Sequence, residues 1–484
     1  MKDAGHRSLD TALARGASYA DVRVMDIRQR YLSTKNSQTG QVRDSQSFGI
    51  GVRVIANGAW GFAATDDLTA ESIDRNAARA VEIARSSALA NKREVRLAPE
   101  AKTVDRWESP CRIDPFVIPV SSCLGLLLNV DAELRRVKGV TLAEAAMDFR
   151  RIDQLFLSSL GSEIRQLKTE TGVGYAASCF AGDEIQKRSY PTSFGGQYQN
   201  KGYELVEELD LLGNAPRVAE EAVALHRSEQ CPAGTKDIVL GSAQLALQIH
   251  ESIGHPIELD RVLGDEANYA GTSFLTRDKL GTLPYASAIV NVVADATSAH
   301  GPGLGTFAYD DEGVVAQSTP IIKDGLFVGY LTSRESAAAI GQTRSNGSMR
   351  AEGWNRIPLI RMTNVSLLPG NWKLDDLIAD TDDGLYMETN RSWSIDDRRY
   401  NFQFGTEVAW EIKGGKKGPM LKNASYGGIT TEFWNSCDAI CGPEYWTLWG
   451  IPTCGKGQPM QAMGTGHGAA PARFRKVKVG VAYN

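Results

Sequence analysis

His250-Glu251-Ser252-Ile253-Gly254-His255 puts two imidazoles and a carboxylate into one short stretch of a 484-residue chain that has only six histidines. Two neutral imidazoles suit a zinc ion. A glutamate directly after the first histidine cannot easily reach the same metal, but it can reach a water bound to it. The stretch therefore offers two candidate ligands, His250 and His255, and a candidate general base, Glu251.

The histidines are five apart, where the familiar zinc-protease spacing is four. At about 100° per residue, five steps put His255 about 140° around a regular helix from His250, so an undistorted α-helix would not aim both at one ion. Two features could bend the chain: Gly254, which tolerates unusual dihedrals, and Pro256, which disfavours the α conformation at His255. A helix that loosens or ends at Gly254 solves the geometry. So does a one-residue π-bulge, which brings positions five apart nearly onto one face. Either way the spacing predicts an irregularity at 253–256.

A catalytic zinc normally holds three protein ligands and keeps one position for water. Candidates for the third ligand are Glu258 and Asp260 close by, and His300, His467 and the seven cysteines farther away. Glu258 and Asp260 could equally orient His250 or His255 from behind, or be solvated on the surface. His467, in Gly464-Thr465-Gly466-His467-Gly468, is expected on a loop. Cys437 and Cys441, four apart but with no partner histidine, read as packing residues, and His226 reads as the last turn of a helix. His300 precedes a glycine-rich run without the strand, helix and Lys-Ser/Thr context of a phosphate loop.

The elements that must position these groups fall into two halves. Leu9, Ala12 and Leu13 mark an opening helix that Gly16 can stop, and Val22 and Val24 begin a strand. Val52–Ala56 and Ala59–Phe62 flank Asn57-Gly58, a hairpin turn signal. A helix follows from about Ala70, capped by Thr69, with Ile73, Ala77, Val81 and Ala84 on one face. Another spans about Val120 to Val137 on the stripe Cys123, Leu127, Val130, Leu134, which makes Cys123 a core residue. Strands follow over about 140–205, and then a helix from Asn214 to Leu225 with Pro216 in its first turn.

The polar stretch between His226 and Lys236 separates an N-terminal α+β domain, residues 1–228, from a second domain, residues 236–484. Asp237–Leu240 reads as a buried strand feeding the helix that carries Leu245, Leu247 and Ile249 into His250. Beyond it, Ile289–Val293, Gly325–Tyr330 and Phe402–Glu407 are β signals. The fold class is therefore α+β: a mixed α/β N-terminal domain with antiparallel sheet and helices, then a β-rich C-terminal domain carrying the metal site.

Composition narrows the function. Hydrophobic residues make up 42% and charged residues 23%, as in a soluble globular protein. The net charge of −5 argues against a nucleic-acid partner, and the most basic stretch, Arg473 to Lys478, reads as the solvated face of a terminal strand. No apolar run approaches the roughly 18 residues of a membrane span, and Met1–His6 lacks a signal-peptide core, so no membrane partner and a cytoplasmic location are expected. The odd number of scattered cysteines does not form a disulfide framework.

His250-Glu251-x-x-x-His255 followed by Glu258-x-Asp260, together with Asp311-Glu312-Gly313, Thr363-Asn364 and Cys454-Gly455-Lys456-Gly457-Gln458, resembles the TldD/PmbA family of metallopeptidases over most of the chain. The resemblance implies that His250, His255 and Cys454 hold Zn2+ and that Glu251 is the catalytic base. It implies hydrolysis of short or unfolded peptides inside a cavity formed by a homodimer, or by a heterodimer with a homologous subunit that lacks the motif. This chain, which keeps the motif, would be the catalytic member. The rival reading is a peptide-binding or regulatory subunit whose metal is structural.

Overall fold

The computed structural model describes residues 1–91, 93–269, 271–457 and 460–481; Gln458 of the glycine-rich segment lies outside them. The N-terminal half is built on long strands. Tyr19–Lys35 pairs antiparallel with both Gln38–Ala56 and Leu142–Ser158, Leu142–Ser158 pairs with Glu163–Ala181, Ala59–Thr65 forms one edge, and Val104–Glu108, Gln197–Gln199 and Glu184–Tyr190 line the other side of Glu163–Ala181. The expected turn at Asn57-Gly58 is present, with both residues at positive φ (52° and 73°). Strict alternation makes one face of this sheet apolar. Helices Lys2–Ala14 and Ala70–Ala88 pack on one end of that face, against Val22, Val24, Val52 and Val54. Helices Val120–Arg136 and Leu211–Arg227 pack on the other, against Leu32, Ala143, Ala145, Met147 and Phe149.

The last of these helices starts three residues earlier than its sequence pattern suggests. The carboxylate of Asp210 accepts the Gly213 N–H and caps it, which leaves Pro216 inside the helix and not in its first turn.

The opposite face of the sheet is polar yet buried, because the C-terminal half covers it. Arg53 bridges Asp21 and Glu312 (2.7 and 3.1 Å), Gln154 donates to Asp311 (2.7 Å), and Gln166 donates to the Tyr309 carbonyl (2.8 Å).

In the C-terminal half, strands Gly234–Leu240, Ala472–Val481, Ala424–Ile429, Asn401–Lys413 and Asp383–Ile395 pair in that order, and the last pairs back to the first. A second sheet orders Leu326–Phe327, Ser318–Lys323, Val292–Asp295, Asn364–Leu367, Gln461–Ala469 and Thr447–Lys456. The β signal at Ile289–Val293 is thus shifted to Val292–Asp295, and that at Gly325–Tyr330 shrinks to Leu326–Phe327. The segment between His226 and Lys236 holds strand Glu229–Gln230, paired with Lys416–Lys422.

Arg473 is not on a solvated face. It is buried and paired with Asp438 and Asp380, because the terminal strand sits inside its sheet and not at an edge. Among the described residues, no helix is long and apolar enough to cross a membrane.

Helix Ser242–Ile249 follows strand Gly234–Leu240 and packs against both Asp383–Ile395 and Gln461–Ala469. Leu245, Ile249 and Ile253 share a core with Val365, Met387, Phe404 and Cys454. That packing fixes where the helix points its last turn.

Candidate metal centre

The last turn is a π-helix over His250–Gly254, in which the His255 N–H donates to the His250 carbonyl at 3.1 Å. Of the two ways to reconcile a five-residue spacing with one ion, the chain uses the bulge. His255 stays in the right-handed α region (φ −66°, ψ −43°) in spite of Pro256, so the helix does not end at Gly254. The irregularity begins at His250, three residues before the expected stretch. Its result is that the two imidazole rings sit 4.8 Å apart between centroids. Gly254 packs closely, since a Cβ there would fall 2.1 Å from Met362 Sδ and Met362 would have to shift.

Cys454 comes from strand Thr447–Lys456, where the pairing with Gln461–Ala469 slips between Ile451 and Cys454. Its Sγ lies 3.7 Å from His255 Nε2, and ligand atoms of His250, His255 and Cys454 all lie within 4.8 Å of one another. Three ligands at tetrahedral zinc distances are roughly 3.3–3.8 Å apart, so the cluster needs to contract by only about 1 Å to hold an ion. All three side chains are buried.

Hydrogen bonds decide which imidazole nitrogens are free. His467 Nδ1 faces the Val365 carbonyl at 3.0 Å and must be the protonated nitrogen, so its Nε2 accepts. His250 Nδ1 lies 2.8 Å from that Nε2 and must donate to it, which leaves the His250 Nε2 lone pair bare. His255 Nδ1 lies 3.1 Å from Glu258 Oε2 and donates in the same way, leaving its Nε2 toward Cys454. This is the pattern by which ligating histidines are oriented in metal sites.

Burial keeps the imidazoles neutral. It pushes His250 down to about 4 against the opposing charges of Glu251 and Glu258, and it lowers His255 and His467 as well. Burial alone would raise the Cys454 thiol, but His255 and then Arg361 pull it below its ordinary value. Two neutral imidazoles and a thiol biased toward thiolate are a zinc-type donor set.

Glu258 is fully buried. Burial would raise its carboxyl, yet Lys456 (3.5 Å), His255 and Arg261 (3.4 Å) hold it well below the usual carboxylate range. Asp260 touches neither histidine; it pairs with Lys456 at 2.7 Å, and Lys456 also donates to the Ile360 carbonyl.

Glu251 is buried at 7% exposure, and Arg399 Nη1 donates to its Oε2 at 2.6 Å. Arg399 sits on the turn between strands Asp383–Ile395 and Asn401–Lys413, at φ +64°.

His467 is not on a loop. It lies in strand Gln461–Ala469, fully buried, because the small residues around it allow tight pairing with Thr447–Lys456 and Asn364–Leu367; a Cβ on Gly466 would meet Asn364 Oδ1 at 2.0 Å. His300 is not among the three clustered donors and pairs with Asp295 at 2.8 Å. His226 closes helix Leu211–Arg227, and Cys123, Cys437 and Cys441 are packing residues in the cores.

Of the other quoted motif residues, Asp311 and Glu312 tie the two halves together and Asn364 joins segments within the C-terminal half. Asp311 and Glu312 accept from Gln154 and Arg53, and Asn364 donates to the Asp295 carbonyl and accepts from the Gly305 N–H. Sequence reasoning missed Arg399, whose neighbours in the chain carry no motif that points to the site, and quoted Lys456 in the glycine-rich segment without giving it a role.

Residues 233–480 match the family description PmbA/TldA metallopeptidase C-terminal domain, and residues 20–84 match PmbA/TldA metallopeptidase domain 1. A protein of Methanothermobacter thermautotrophicus named a metalloprotease is 29% identical over 96% of this chain and 95% of its own. One of Saccharolobus solfataricus named a zinc metalloprotease TldD homolog is 26% identical over 51% of this chain and 52% of its own. A crystal structure from Thermotoga maritima, described as a modulator of a DNA gyrase, superposes with a TM-score of 0.77 at 16% identity over 99% of both chains. The chain belongs to the PmbA/TldD family of metallopeptidases.

Proposed function

We propose that this chain is a zinc-dependent peptidase in which His250, His255 and Cys454 hold the metal and Glu251 is the general base. The observation that carries the reading is the three-donor cluster, whose imidazole Nε2 lone pairs are left free by the bonds to His467 and Glu258. Among the described residues these three donors converge without a fourth, which favours an open, catalytic coordination position over a closed structural one. Bound zinc would supply an acidified water and a polarised carbonyl.

Glu251 would take a proton from the attacking water as the water oxygen bonds to the peptide carbonyl carbon. It then gives the proton to the leaving nitrogen as the C–N bond breaks, leaving a carboxylate and an amine. The substrates are short or unfolded peptides bound in extended form, through main-chain hydrogen bonds that tolerate varied side chains. The catalytic unit is a dimer, with itself or with a homologous subunit, in the cytoplasm, and the chain divides into units at residues 1–228 and 236–484.

Glu251→Gln tests the reading. It should abolish cleavage of a quenched-fluorescent peptide cut by the wild-type chain while zinc stays bound; undiminished cleavage would overturn it.

A further inference from the structure

The geometry points to Arg399 as a catalytic residue, the group that stabilises the oxyanion formed when water adds to the scissile carbonyl; this rests on the peptidase reading above. Acyl transfer through a tetrahedral oxyanion needs a fixed donor aimed at the oxygen that becomes charged. Several arginines lie near the cluster, but most are engaged. Arg350 donates to the carbonyls of Met362, Gly464 and Leu304, Arg361 to those of Cys454 and Gln461, and Arg261 is paired with Glu258. Arg399 is the guanidinium bonded to Glu251, through Nη1.

Glu251 must lie beside the attacking water, so a guanidinium bonded to that carboxylate stands next to the reacting carbonyl. A guanidinium presents five donors in one plane, and engaging Nη1 does not consume the others. The Arg399 Nε is buried with no partner among the described residues.

The backbone under Arg399 is fixed. Its N–H donates to the Asp396 carbonyl at 2.9 Å, its own carbonyl accepts from Thr430 Oγ1 at 2.9 Å, and the flanking Arg398 and Asp397 carbonyls accept from the Phe274 and Thr272 N–H groups. The Asp396 carboxylate is occupied by the Tyr400 and Asn401 N–H groups, so it does not compete for the guanidinium. The side chain is 17% exposed, so it is reachable by substrate yet largely screened from water, where a charge stabilises an oxyanion best.

The test is steady-state kinetics of the full chain on a quenched-fluorescent peptide, with zinc content measured in parallel. Arg399→Ala should lower kcat about 100- to 1000-fold with KM changed less than about threefold and zinc still bound, as when one oxyanion donor is removed. Added guanidinium ion should restore part of kcat to Arg399→Ala, and Arg399→Lys should retain more kcat than alanine. An unchanged kcat in Arg399→Ala, or a loss confined to KM, would overturn the assignment. So would loss of activity in Arg399→Ala that neither guanidinium nor lysine restores. If instead Glu251→Gln remains active, it is the peptidase reading that fails.

Discussion

Nδ1 of His250 lies 2.8 Å from Nε2 of His467, 217 residues farther along the chain, and His467 is itself anchored to the Val365 carbonyl. This relay fixes the tautomer of His250 and so presents its Nε2 to the metal. Removing such a partner typically costs 10- to 100-fold in metal affinity. His467→Ala should therefore weaken zinc binding by about that factor in competition with a chromophoric chelator. An affinity equal to wild type would show that His467 merely fills space.

Gly254 lies where a Cβ would stand 2.1 Å from Met362 Sδ. Overpacking of this kind costs about 1–3 kcal/mol. Gly254→Ala should lose stability of that order in urea unfolding, and its cost should be smaller in a Met362→Ala background than in the wild type. An equal cost in both backgrounds would contradict the contact.

Arg53 joins Asp21 of the N-terminal sheet to Glu312 of the C-terminal half, with all three side chains no more than 3% exposed. Arg53→Met would leave two buried carboxylates without their cation, and breaking a buried pair in this way costs about 3–5 kcal/mol. Denaturant titration should read that loss, and a second change, Glu312→Gln, should cost less in the Arg53→Met background than in wild type. Strict additivity would mean that the pair is not coupled.

Metal removal should destabilise the whole C-terminal half, because the ligands come from helix end and strand at once. Zinc at a hundred times its Kd adds about 2.7 kcal/mol. Thermal unfolding with and without a chelator should differ for the wild type and not for Cys454→Ala. A difference that survives in Cys454→Ala would place the metal elsewhere.

Much of this site was legible in the sequence. The spacing of His250 and His255 demanded a local distortion, and the π-turn supplies it; the family resemblance brought in Cys454, which the fold delivers to within 3.7 Å of His255. The Asn57-Gly58 hairpin, the Thr69 cap and the stripe on helix Val120–Arg136 were readable because each is a local signal.

The groups behind and beside the ligands were not readable in the same way. His467 looked like a loop residue because glycines surround it, and those glycines in fact permit close strand pairing. Arg399 meets Glu251 across 148 residues, through a hairpin whose place depends on the packing of two sheets. Pairings of that range come from the assembled fold, and periodicity within one segment does not register them.

The central claim is one zinc ion held by His250, His255 and Cys454 with an open position beside Glu251. Anomalous diffraction at the zinc edge, from crystals of the full chain grown with zinc, tests it most directly. The account predicts a single strong peak about 2.0–2.1 Å from Nε2 of both histidines and about 2.3 Å from Sγ of Cys454, with no fourth protein ligand. A peak elsewhere, or one closed by a fourth side chain, would contradict it.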